Sequence, residues 1–243
     1  MTPNRSTAVM QRRAPAPDAL DYFPTPPWAV RALCERLILM GILIRRKRAW
    51  EPACGEMHMA RPLMEYFEDV RATDVHQYGN NGICDFLALD TYAPWPPVEW
   101  IITNPPFLVA EQFIATARRH ATEGVAMLVR SSFTESVGRY HSLFGDEADL
   151  PSYELQFAER VVMLRGRLIQ SGAPDPFNLD PQGKPRPASS ATSYSWLVWM
   201  PGQHDWKKRV IPPCRTALER AGDYPEYPEQ WTKIAPKEGG LFA

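Results

Sequence analysis

The chain has 243 residues, 44% of them apolar and 23% charged, with a formal net charge of −1. These figures exclude collagen-like, coiled-coil and wholly disordered classes, and the near-zero charge excludes holding nucleic acid by bulk electrostatics alone. No apolar run approaches the roughly 18–20 residues of a membrane span; the longest, Leu37 to Ile44, ends in Arg45-Arg46-Lys47-Arg48. Arg5, Arg12 and Arg13 have no apolar stretch behind them, so no secretory signal is expected. The four cysteines (Cys34, Cys54, Cys84 and Cys214) form no Cys-x-x-Cys pair. A cytoplasmic, reducing location and no metal site are the expectation.

Residues 1–20 are polar and proline-interrupted and read as a flexible arm. From Pro26 to Ile44, Trp28, Val30, Leu33, Leu37 and Met40 follow helical spacing after Thr25-Pro-Pro, with Gly41 placed to end the helix early. Short apolar runs then alternate with helical stretches. Strands are expected at Arg48–Glu51, Val70–Asp74, Glu99–Thr103 and Gly124–Val129, with helices at Met59–Phe67 and Val109–His120. This alternation predicts an α/β fold, a mostly parallel sheet flanked by helices, with ligands bound beyond the carboxyl ends of the strands. Further strands are expected at Leu155–Leu164 and Ser193–Met200, separated by a Gly/Pro/Ser-rich segment without regular structure. The division expected is one domain over 21–220, with small insertions near 131–150 and 165–192 and a tail over 221–243.

The chemistry concentrates at strand ends. Asn104-Pro105-Pro106-Phe107 directly follows the apolar strand ending in Thr103. Read blandly it is a turn. Read chemically, the prolines lock a turn in which the Asn104 side-chain carbonyl and the Pro105 backbone carbonyl face one point. A planar amino group placed there donates two hydrogen bonds, freeing its lone pair for an electrophile, and Phe107 offers a face for its ring. Glu51-Pro-Ala-Cys-Gly55 is a small-residue turn between strand and helix, where a ligand can approach the backbone. Asp74, about twenty residues on, stands where an acid accepts ribose hydroxyls. Asp85-Phe86 supplies an acceptor beside an apolar face.

In this order, Phe23-Pro-Thr25-Pro26-Pro27-Trp28, Glu51-Pro-Ala-Cys-Gly55, Asp74, Asp85-Phe86 and Asn104-Pro-Pro-Phe107 resemble the motifs of S-adenosylmethionine-dependent DNA adenine-N6 methyltransferases, especially compact phage-type enzymes. The resemblance covers roughly 20–130 and extends more loosely to Ser193–Trp199. It implies a Rossmann-like class I fold, S-adenosylmethionine as cofactor, and DNA as partner, with a homodimer as an option and no metal or membrane. It also implies a cofactor site of Phe23, Thr25, Glu51, Ala53, Cys54, Gly55, Asp74, Val75, Asp85, Phe86 and Asn104. Asn104, Pro105, Pro106 and Phe107 would form the catalytic turn that receives a flipped base. RNA-base and protein-glutamine methyltransferases share that turn, and an inactive cofactor- or DNA-binding homologue is a further alternative. Met57 stands where the family commonly has a second glycine, so a side chain there is expected to crowd the cofactor if that position needs positive φ.

Basic residues after the catalytic turn are the candidates for nucleic-acid contact: Arg130, Arg139, Arg165, Arg167, Lys184 and Arg186, joined by Tyr194 as a stacking surface. Residues 160–190 hold five basic and two acidic side chains. The Arg45–Arg48 run is expected instead to sit at a solvated helix end, where cations suit the dipole.

Overall fold

The computed structural model describes residues 22–91 and 96–226. The arm expected over 1–20 lies outside the described residues, as does most of the expected tail. Eight strands form one sheet: β1 (Arg48–Glu51), β2 (Asp69–Asp74), β3 (Gly82–Ile83), β4 (Val98–Thr103), β5 (Ala121–Arg130), β6 (Tyr153–Phe157), β9 (Tyr194–Trp199) and β10 (Lys207–Ile211). Their spatial order is β10-β6-β9-β5-β4-β1-β2-β3. All pairings are parallel except those of β9, which runs antiparallel to both β5 and β6.

Alternation along the central strands divides the core into two layers. Trp100, Ile102, Ala126, Leu128, Trp196 and Val198 face one layer, which includes helix α1 (Pro27–Leu39) through Trp28, Leu33 and Leu37. Ile101, Val125, Met127, Val129, Leu197 and Trp199 face the other, with Phe113, Ile114 and Ala117 of α3 (Ala110–His120). Burial on both faces explains why these strands read as apolar runs. Gly124 pairs with Trp100 across β5 and β4, and a Cβ there would lie 2.4 Å from the Trp100 indole. The close approach of that ring requires the glycine.

Helix α1 ends at Leu39, with Gly41 at φ 81°, as its position in the sequence implies. The basic run does not cap it. Arg45 and Arg46 follow in an exposed turn, while Lys47 pairs with Glu123 and Arg48 with Glu99 on the adjoining strands. The helix expected over Met59–Phe67 is only the short α2 (Ala60–Leu63). Beyond Leu63 the amides of Glu65 and Tyr66 reach back three residues rather than four, and the chain turns toward β2. The strand expected over Leu155–Leu164 stops at Phe157. There the Glu159 carboxylate accepts the amides of Cys214 and Arg215, each at 2.6 Å, and Val161–Met163 leave the sheet as buried chain.

The segment expected to lack regular structure contains a hairpin, β7 (Pro174–Leu179) with β8 (Pro185–Pro187), set on a small cluster of Val162, Ile169 and Ala188. The 131–150 insertion is a chain of short helical turns, including α4 (Val137–Arg139). Near the C-terminus, α5 (Arg215–Leu218) and the turn after it pack on α1. Arg31 binds the Leu218 carbonyl and the carboxylates of Asp223 and Glu65. Asp223, within the expected tail, is thus part of the folded body.

Candidate active site

The sheet order places β1 between β2 and β4. Successive crossovers therefore depart to opposite sides, and their loops leave a crevice beyond the carboxyl ends of the strands. A cavity of about 440 Å³ opens there, within the range of small-molecule sites. Of the residues expected to hold cofactor, Phe23, Thr25, Ala53, Cys54, Asp74, Val75, Asp85, Phe86 and Asn104 line it. Glu51 and Gly55 do not line the cavity but support it.

Glu51 is fully buried at the end of β1. Its Oε1 accepts from Thr103 Oγ1 at 2.5 Å and from the Ala53 amide at 3.3 Å, tying the β1 turn to the residue before Asn104. Oε2 has no partner. Burial outweighs those two bonds and pushes the carboxyl up to about 8. A carboxyl raised in the folded state stays protonated there while the unfolded chain ionises, so stability falls as pH rises from about 4.5 toward 8. Burial raises Asp74 too, adding in the same direction. Glu51→Gln is expected to flatten this fall, read as Tm from pH 5 to 8; an unchanged slope would place the proton elsewhere.

Asp74 ends β2 and accepts amides from Gly55 and His76, each at 3.0 Å, one on each oxygen. Asp85 is exposed, and its Oδ1 accepts the Leu87 amide at 3.0 Å in an Asx turn. Phe86 is buried between Trp50 and Phe113, presenting part of its ring to the cavity.

Gly55 adopts φ 49°, and a Cβ there would lie 2.6 Å from Tyr22 Cε2. Tyr22 in turn stacks on Tyr78 at 5.4 Å, and both line the cavity. Gly55→Ala is expected to cost about 1–2 kcal/mol of stability from the left-handed backbone and to displace Tyr22 from the cavity wall. Chemical denaturation and Tyr22 proton shifts would check both effects. Met57 adopts φ 72°, the conformation in which a side chain was expected to crowd the site. It does not: the side chain is buried with Cys54 and Ala60 and does not line the cavity. Apolar burial offsets a left-handed strain of order 1–3 kcal/mol.

In the Asn104–Phe107 turn, Asn104 Nδ2 donates to the Phe23 carbonyl at 2.8 Å and approaches Met163 Sδ at 3.8 Å. Both neighbours are acceptors, so the NH₂ must face them and the amide oxygen must face the other way. That oxygen is buried without a partner, and Asn104 lines the cavity. Thr25 Oγ1 reaches the same sulfur at 3.6 Å. Pro105 is buried, Pro106 lines the cavity, and Phe107 packs against Phe23 with centroids 5.1 Å apart. Met163 and Tyr22 were not legible as site residues. Met163 lies 59 positions from Asn104, in a segment whose pattern resembles a continuing strand.

The nucleic-acid candidates separate. Arg130 lies over Phe107, while Arg165, Lys184 and Arg186 are exposed. Arg167 instead pairs with the buried Asp175, and Arg139 bonds the Phe133 carbonyl over that ring. Tyr194 is buried in the core at 3% exposure and cannot offer its ring to a base.

No protein-family model and no curated protein matches the chain. Among solved structures, a Pyrococcus horikoshii protein provisionally named as an RNA methyltransferase aligns at TM-score 0.51 and 13% identity, over 74% of this chain and 87% of that one. A Listeria monocytogenes protein provisionally named as a class I S-adenosylmethionine-dependent methyltransferase aligns at TM-score 0.51 and 13% identity, over 77% of this chain and 64% of that one. The fold is therefore the Rossmann-like fold of class I methyltransferases.

Proposed function

We propose that the chain transfers a methyl group from S-adenosylmethionine to the exocyclic N6 amino group of adenine in DNA. The observation that carries this reading is the Asn104 amide, with its nitrogen held by two acceptors and its buried oxygen unpartnered. Buried polar atoms without partners are rare and call for a ligand donor. A planar amino group fits, because it can give one hydrogen to Asn104 Oδ1 and the other to the Pro105 carbonyl. The nitrogen lone pair is then released from conjugation, and Phe107 supports the ring that carries it. Flipping a base out of a duplex costs a few kcal/mol, which stacking and these bonds offset.

The cavity residues fit the cofactor. Asp74 retains lone pairs for ribose hydroxyls, Asp85 is exposed beside the Phe86 ring for an adenine, and the unpartnered Tyr22 hydroxyl adds a polar group. When bound, S-adenosylmethionine supplies an electrophilic methyl carbon. The chain's own task is alignment, holding the amino nitrogen in line with that carbon, which needs no strong base. DNA would be held by Arg165 and by Lys184 and Arg186 of the β7–β8 hairpin. The hairpin joins the carboxyl end of β6 to the start of β9, the same edge of the sheet as the catalytic turn.

The test is methyl transfer to unmethylated genomic DNA, digested to nucleosides and read by mass spectrometry. N6-methyladenine is expected with the wild type and not with Asn104→Ala. Methylation confined to RNA, or to protein glutamine, would replace the DNA reading.

A further inference from the structure

The Phe107 ring has a second neighbour besides Phe23. The Arg130 guanidinium carbon lies 4.4 Å from the ring centroid. Arg130 is the last residue of β5, where the strand passes from buried to exposed chain, and it pairs in register with Tyr194 of β9. Arg130 thus stands beside the buried Tyr194 at the end of the β5–β9 ladder. No ion pair ties Arg130 to an acid among the described residues. An exposed arginine with no acidic partner would ordinarily extend into water; this one lies over an aromatic face.

We propose that Arg130 is the second face of the target-base pocket, so that the incoming base enters between the Phe107 ring and the guanidinium. This rests on the base-flipping reading above and assigns a role that the catalytic turn alone does not contain. Carbon atoms in stacked planes sit about 3.5–4 Å apart, so a base between the two groups needs roughly 7 Å. The guanidinium therefore retreats by roughly 2.5–3 Å, within reach of a rotamer change in a long, exposed side chain. Its planar, delocalised cation stacks on a base as an ammonium cannot. The Phe23 ring, by contrast, is half-buried and packed against the apolar core. Arg130 is the mobile wall and Phe107 the fixed one.

The role separates from an ordinary phosphate contact by experiment. Arg130→Ala and Arg130→Lys are compared with wild type for kcat/KM on duplex DNA, for 2-aminopurine fluorescence at the target position, and for the salt dependence of DNA binding. Loss of one stacked face is expected to lower kcat/KM roughly 10–100-fold in both variants. The salt slope should stay unchanged, and affinity for duplex carrying an abasic target should be equal across the three proteins. Recovery of activity by Arg130→Lys, with a slope smaller by about one in Arg130→Ala, would assign the residue to a phosphate and overturn the proposal. Wild-type behaviour of both variants would overturn it equally. If the wild type methylates no DNA adenine, the base-flipping reading itself fails; if it does and the variants match it, only the Arg130 assignment fails.

Discussion

Replacing Asn104 with alanine is expected to lower the methylation rate at least ~100-fold, the usual cost of deleting one group aimed at charge that develops in a transition state. The variant should still fold. The bonds lost within the protein are the 2.8 Å contact from Nδ2 to the Phe23 carbonyl, of a kind worth about 1 kcal/mol net, and the longer one to Met163 Sδ. Cofactor binding should weaken little, since Asp74, Asp85 and the β1 turn are untouched. Single-turnover rates with calorimetry of S-adenosylmethionine binding separate the two effects. A rate within a few-fold of wild type would show that the amide oxygen does not receive the substrate amino group. Asn104→Asp refines the argument. It puts an acceptor where Phe23 O and Met163 Sδ both require a donor, so it should lose activity despite keeping an oxygen toward the cavity.

A comparable loss, of stability rather than rate, is expected at Arg31. The side chain is 4% exposed on α1 and meets Asp223 (7% exposed) at 2.7 Å and Glu65 (26% exposed) at 2.9 Å. It also donates to the Leu218 carbonyl at 2.8 Å. Removing the arginine strands the buried Asp223 without a counter-charge, at about 3–5 kcal/mol, whereas Glu65 keeps Arg220 at 2.8 Å. Arg31→Ala should therefore lower the denaturant midpoint sharply and free the segment after α5, seen as early proteolysis between Cys214 and Glu226. A loss below about 1 kcal/mol would mean that the carboxylates find water once the arginine is gone.

The strands β1, β2, β4 and β5 and helices α1 and α3 were legible because each carries its own periodic signal. Two-sided burial makes continuous apolar runs, and α3 shows a one-sided stripe of Phe113, Ile114 and Ala117. The Asn104-Pro-Pro-Phe107 turn was legible for a related reason, as proline and the residue before it restrict the chain locally whatever surrounds them. Asp74 and Asp85 could be placed at the cavity because they stand at or just after the ends of β2 and β3, and the same patterns mark the first of those ends.

Tertiary contact decided the rest. The apolar run Val161–Leu164 beyond Phe157 reads as a continuing strand, yet Glu159 leaves the ladder to cap Cys214 and Arg215, and Met163 reaches Asn104 instead. Whether Met57 closes the site depended on the direction of its side chain at φ 72°, and the cluster of Cys54 and Ala60 draws it away. Among the arginines, only the positions of their partners separate Arg167, held by Asp175, from Arg130, which lies over Phe107. Sequence alone determined which residues end the strands of a methyltransferase-like sheet, because local sterics and periodic burial act along the chain. Only the folded structure decided which way each side chain faces and what it meets, because those partners lie far away in sequence and are brought together by packing.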